Sequence, residues 1–134
     1  MLFRHLRTTS TLLSVLLMDQ WRFTGVYGFA DSTRKHETWS LLHSLHHRSS
    51  LPWMCAGDFN ELLWSHEKLS LDPRQDCKMK VFRDVLDECG LMDLGYVGDK
   101  FTWWGKRAGG LVLERLDRAV ASNGWLSRFP GSKV

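Results

Sequence analysis

The sequence has few means of cross-linking itself. Its 134 residues include three cysteines, Cys55, Cys77 and Cys89, widely spaced and odd in number. No pair has CxxC spacing, and no histidine stands at zinc-finger distance from such a pair. These spacings argue against a disulfide framework and a structural zinc motif, and reduced thiols in an intracellular protein are expected. Prolines number only three, and no repeat, low-complexity tract or Gly/Ser-rich linker divides the chain. That suits one domain. The apolar run Leu12–Met18 falls well short of the roughly 20 residues that span a bilayer, so no membrane role is expected. The excess of one charge sign is small too: the net charge is +3 and the pI is near 8.9. Such an excess permits a polyanionic partner without requiring one.

Large apolar side chains are plentiful. Seven Trp and seven Phe supply area for a real core. The most informative stretch is Leu51–Glu61, LPWMCAGDFNE. An apolar run bounded by Pro52 and Gly57 reads as a buried strand. Along an extended backbone Asp58 and Asn60 point the same way, with Phe59 opposite, in packing. A carboxylate and an amide at a strand end suit phosphodiester chemistry. The carboxylate orients a water or helps hold a divalent cation, and the amide donates to a phosphate or accepts from a water. Gly-Asp-x-Asn is equally ordinary turn chemistry, and on those residues alone the turn is the simpler account.

Residues 1–20 carry no acid before Asp19 and include Arg4, Arg7 and a Ser/Thr cluster. They read either as a strand over Thr11–Leu17 that turns at Met18–Gln20, or as an organelle transit-like leader. Trp21–Gly28 alternates as a strand, with Trp21, Phe23, Gly25 and Tyr27 on one side. Tyr27 at its end is a core residue with a wet tip, or a phenol within reach of phosphate. Ser32–Arg48 reads as a helix capped by Asp31 or Ser32, with Trp39, Leu42 and Leu45 as its apolar stripe. His43 and His47 stand at i and i+4, which zinc can use. The solvated C-terminal face of a helix is the simpler home for them.

Leu62–Asp76 reads as a surface loop with one short turn at Glu61–Trp64. Arg74–Cys89 is a second helix, striped by Met79, Phe82, Leu86 and Cys89 and closed by Gly90. Leu91–Gly98 is a turn-rich link. Phe101–Trp104 is a strand, Gly105–Gly110 a hairpin loop and Leu111–Val120 the return strand. Trp104 beside Lys106 and Arg107 has the makings of a base-stacking site. Arg115 and Asp117 fall at i and i+2 on the return strand and so share a face. They form either a plain edge ion pair or part of a site. Asn123–Phe129 is a short terminal helix capped at Asn123.

Taken in order, WRFTGVYG, ETWSLL, LPWMCAGDFNE, FRDVLDECGLMDLGYVG, KFTWWGKR and ERLDRAVAS…WLSRFP resemble the endonuclease domain of plant non-LTR retrotransposons. That domain belongs to the endonuclease/exonuclease/phosphatase superfamily, with its deoxyribonuclease-I-like fold. The resemblance covers Trp21 to Val134. It implies an α/β fold, a partial four-layer sandwich of two mixed β-sheets with helices outside, and Mg²⁺-dependent cleavage of DNA by an activated water. By position, Asp58 orients the water and supplies a metal ligand, Asn60 holds phosphate or water, and Tyr27 sits by the phosphate. Asp117 orients a histidine, and Arg115 braces that strand. Lys106, Arg107, Arg115 and Arg118 are available to nucleic-acid phosphates.

Two features of the family are missing from these residues. Its metal glutamate lies on an early strand, whereas the first glutamate here is Glu37, beyond Tyr27. Its terminal Ser-Asp-His segment has no counterpart, since no histidine follows His66. The expectation is therefore an endonuclease-like domain truncated at both ends and catalytically impaired. The alternative is a non-catalytic nucleic-acid-binding or interaction module that keeps the fold.

Overall fold

The computed structural model describes residues 8–10, as backbone, and 20–134. Among the described residues the strands and α-helices follow in the order β1 (Thr8–Ser10), β2 (Trp21–Tyr27), α1 (Lys35–Arg48), β3 (Trp53–Asp58), β4 (Lys68–Leu69), α2 (Asp76–Glu88), β5 (Leu91–Asp93), β6 (Trp103–Arg107), β7 (Gly110–Glu114), β8 (Asp117–Ser122) and α3 (Asn123–Arg128). They build a five-stranded mixed sheet, β1-β2-β3-β8-β5, and a three-stranded antiparallel sheet, β4-β7-β6. The class is α/β, as the resemblance implies. Among the described strands only β2 and β3 run parallel, joined through α1 as a βαβ unit.

The core lies between the five-stranded sheet and the two long helices. Thr24 and Val26 of β2, Trp53 and Cys55 of β3 and Val120 of β8 face Trp39, Leu42 and Leu45 of α1 and Phe82, Val85 and Leu86 of α2. Trp39 stacks on Phe82 with ring centroids 4.7 Å apart. The buried hydroxyl of Thr24 in β2 is satisfied, because Trp53 Nε1 donates to Thr24 Oγ1 at 2.9 Å. Burial pushes the Cys55 thiol far up and that of Cys89 to about 11, so both behave as small apolar groups.

Several elements differ from expectation, each for a tertiary reason. The strand expected over Thr11–Leu17 lies outside the described residues, but Thr8–Ser10 does pair antiparallel with β2. Helix α1 begins at Lys35, because Asp31 closes a separate turn: its carboxylate accepts Thr33 N–H at 2.9 Å. Ser122, not Asn123, precedes α3, and its hydroxyl accepts Trp53 N–H instead of capping the helix. The stretch 62–76 is no simple surface loop. Leu62, Leu63 and Glu67 are buried, and a 3₁₀ turn at Ser65–Glu67 leads into β4. Leu91–Asp93 is an edge strand rather than a link, paired with β8.

The return strand is two strands. β7 pairs with β6 in the small sheet, the chain breaks at Arg115–Leu116, and β8 then enters the large sheet beside β3. The tryptophan hairpin is likewise shifted: β6 continues to Arg107, and Ala108–Gly109 makes the turn. Trp103 packs on a small satellite cluster of Leu62, Met79 and Leu116, which anchors the hairpin beside the end of β3.

Candidate active site

The site is built where three strands end together. In register, Tyr27 of β2 stands beside Asp58 of β3, and Asp58 stands opposite Asp117 of β8. Val26 and Thr24 face the helices, so this row projects from the opposite face of the sheet. Tyr27 is 42% exposed, leaving its phenol open to solvent.

The glycine before Asp58 is obligatory. Gly57 has φ of +141°, and a Cβ there would lie 2.1 Å from the carbonyl oxygen of Val26. The backbone beyond Asp58 is held from both sides. Gly28 N–H donates to Asp58 O at 2.7 Å, and Phe59 N–H donates to Leu116 O at 3.0 Å. Phe59 turns into the core as expected, 1% exposed. Asp117 is oriented from the hairpin: Thr102 Oγ1 accepts both Leu116 N–H and Asp117 N–H at 3.0 Å.

Asn60 does not continue the strand. It has φ of +53°, the one left-handed non-glycine among the described residues. Its N–H donates to Asp58 Oδ1 at 2.8 Å and its Nδ2 donates to Gly28 O at 2.8 Å. The turn chemistry readable in Gly-Asp-x-Asn is thus present, and it brings Asn60 to the site by a route other than strand alternation. Asp58 is partly buried. Burial raises its carboxyl above the ordinary range, Asp117 adds to this, and the Asn60 N–H and the Lys35 charge oppose it.

Behind Asn60 lies an ion cluster with no signature in the local sequence. Glu61, 2% exposed, accepts Arg74 Nε at 3.0 Å and Arg74 Nη2 at 2.6 Å. Lys35 Nζ lies 3.2 Å from the same carboxylate and also donates to the Asn60 carbonyl. Burial pushes Glu61 up, but the Arg74 hydrogen bonds and the Lys35 charge outweigh it, holding the carboxyl below its usual range. A cleft of about 350 Å³ opens between this cluster and the hairpin, lined by Lys35, Asn60, Glu61, Arg74, Trp103 and Arg107.

The candidate cations divide sharply. Arg115 and Arg118 are 2% and 1% exposed. Arg118 is paired with Glu67 at 2.9 Å and Asp93 at 3.3 Å, and Arg115 lies over the Tyr96 ring at 3.9 Å. Burial leaves neither a surface on which to meet a phosphate, and the break at Arg115–Leu116 removes the shared strand face expected for Arg115 and Asp117. Lys106, Arg107 and Trp104 are exposed on the hairpin. Alternation along β6 puts Arg107 on the Trp103 side, by the cleft, and Trp104 with Lys106 on the other.

A family model described as the Endonuclease/Exonuclease/phosphatase family matches residues 2–133. The chain belongs to the endonuclease/exonuclease/phosphatase family. A solved structure titled "Endonuclease domain of TRAS1, a telomere-specific non-LTR retrotransposon" superimposes with a TM-score of 0.59 at 22% identity, over 80% of this chain and 48% of that one. At that identity the likeness speaks for the fold, which is deoxyribonuclease-I-like. The chain spans about half the length of that endonuclease domain. No curated protein matches.

The endonuclease/exonuclease/phosphatase family is generally dependent on a divalent metal. Asp58, Asp117 and the Asn60 amide are the donors at hand. Among the described residues no three Asp, Glu, His or Cys side chains gather as a metal cage. One oxygen of Asp58 is already taken by Asn60 N–H, and burial disfavours its charged form. Among the described residues this donor set falls short of a cage for a cation. Among the described residues, no helix is long and apolar enough to cross a membrane.

Proposed function

We propose that this chain is an endonuclease-like domain of retroelement type whose phosphodiester-cleaving site is incomplete, so that the 134 residues alone are catalytically impaired. The observation that carries the reading is the row Tyr27–Asp58–Asp117 at one end of the sheet in a member of this family. Asp58 has one oxygen tied to Asn60, and its other oxygen is the acceptor that would orient a water. The Asn60 amide and the Tyr27 phenol flank the position of a phosphate. Asp117, held through Thr102, is poised to orient an imidazole that no residue beyond His66 supplies. DNA is the proposed substrate class. Magnesium is the proposed metal of the complete site, with Asp58 and Asp117 the carboxylates that this row would bring to it. Groups that act as a unit fail together, so the missing partners remove most of the rate.

Binding without cleavage is the second reading, favoured by the exposed hairpin. Trp104 is 67% exposed beside Lys106, a pairing of aromatic face and cation that suits nucleic acid. Titrating the chain into a labelled DNA duplex over a range of salt tests the nucleic-acid assignment. Affinity that falls steeply as salt rises is the expected result. No binding even at low salt removes DNA as the ligand.

A further inference from the structure

Of the polar clusters outside the strand-end row, the Lys35–Glu61–Arg74 bridge has the most direct hold on a site residue. Three ionisable groups meet at the Asn60 turn with side chains 14%, 2% and 21% exposed. Burying such a group is costly, and apolar residues would pack the same space at no such cost. The cluster gathers α1 through Lys35, the β3 turn through Glu61 and the approach to α2 through Arg74. Its output is a single bond, from Lys35 Nζ to the carbonyl of Asn60.

That carbonyl belongs to the one non-glycine residue with positive φ among those described. A left-handed asparagine is strained relative to its alternatives and persists only where its surroundings over-determine it. Three contacts do so here: Asp58 takes the N–H, Gly28 takes one amide hydrogen, and Lys35 holds the carbonyl. Removal of the third frees the Asn60–Glu61 peptide to rotate, and with it the left-handed backbone conformation that presents the Asn60 side chain.

We propose that Lys35 is a positioning residue for Asn60, held in place by Glu61, whose second partner Arg74 keeps the carboxylate fixed. The proposal rests on the reading of Asn60 as a phosphate- or water-facing group. Lys35 acts through Asn60 and not on the ligand, although it borders the same cleft as Arg107.

A double-mutant cycle on the full chain separates these roles. Binding of a fluorescein-labelled DNA duplex is measured for wild type, Lys35→Met, Asn60→Ala and the double variant. Lys35→Met and Asn60→Ala are each expected to weaken binding about fivefold, and the double variant to be no weaker than Asn60→Ala alone. The salt slope is expected to be unchanged in Lys35→Met, and Lys35→Arg to restore most of the affinity. Effects that multiply, or a slope reduced by about one, make Lys35 a direct phosphate contact and overturn the proposal. Amide hydrogen exchange reports independently of any ligand. Lys35→Met is expected to speed exchange at the Asn60 N–H while leaving Val120, in the core, protected. Unchanged protection at Asn60 overturns the proposal. Faster exchange in a chain that binds no DNA upholds the positioning and removes the nucleic-acid reading instead.

Discussion

Asp58 and Asp117 are directly opposed across the β3–β8 pair, like charges on facing residues. Such a pair destabilises an antiparallel ladder by a few tenths to about 1 kcal/mol. Burial and Asp117 both raise the Asp58 carboxyl, so the folded state holds that proton more firmly than the unfolded chain. Between the unfolded value, about 3.9, and the raised folded one, stability falls as pH rises, and the full cost is present above the folded value. Asp58→Asn keeps an oxygen to accept the Asn60 N–H and loses the charge. It is expected to stabilise the chain at pH 7 by up to about 1 kcal/mol. That gain is expected to vanish at acid pH, as read by urea unfolding at both pH values.

The buried pair of Glu67 and Arg118 has the opposite sign. Burial pushes Glu67 up, but its bonds to Arg118 and to the Leu63 and Trp64 amides outweigh this and lower its carboxyl. Its stabilisation is present above the unfolded value, about 4.3, and is lost as pH falls through the folded value. Glu67→Gln leaves the Arg118 guanidinium, with a fully buried side chain, short of a counter-charge. A loss of about 3 kcal/mol is expected at pH 7, shrinking toward acid pH. Denaturant midpoints at the two pH values check it.

Gly57→Ala tests the close approach of β3 to β2. The added Cβ would meet the Val26 carbonyl at 2.1 Å, on a backbone with φ of +141°. A destabilisation of more than about 3 kcal/mol is expected, since overpacking and backbone strain act together. Thermal unfolding followed by circular dichroism reads it. A midpoint within a few degrees of wild type contradicts this geometry.

Local patterns carried much of the fold. The alternation of Trp21–Tyr27 and the stripe Met79, Phe82, Leu86 with Gly90 behind it are periodic signals, and each became the expected element. The strand-end cluster was half legible. Asp58 and Asn60 stand out as polar residues after an apolar run, but the left-handed turn that joins them depends on Lys35 and Gly28. Glu61 reads only as the start of a short turn, Glu61–Trp64, because its partners lie 26 and 13 residues away along the chain. Arg115–Asp117 misled for a similar reason. Period-two alternation runs straight through Leu111–Val120, and only the pairing partners show that β7 and β8 belong to different sheets.

The exposed hairpin tryptophan separates stability from binding. Trp104 is 67% exposed, so Trp104→Ala is expected to change folding stability by less than about 0.5 kcal/mol. If its ring stacks on a base, DNA binding weakens by about 1 to 3 kcal/mol. Unchanged affinity removes Trp104 from the nucleic-acid surface.

Plasmid nicking bears most directly on the proposal that the row Tyr27–Asp58–Asp117 is an incomplete cleavage site. Supercoiled DNA is incubated with the folded chain in magnesium, and in chelator, beside the Asp58→Ala variant. The account predicts no nicking above the variant in either condition. Metal-dependent nicking that disappears with Asp58→Ala would contradict it, and would mean that residues of this chain do assemble a working metal site.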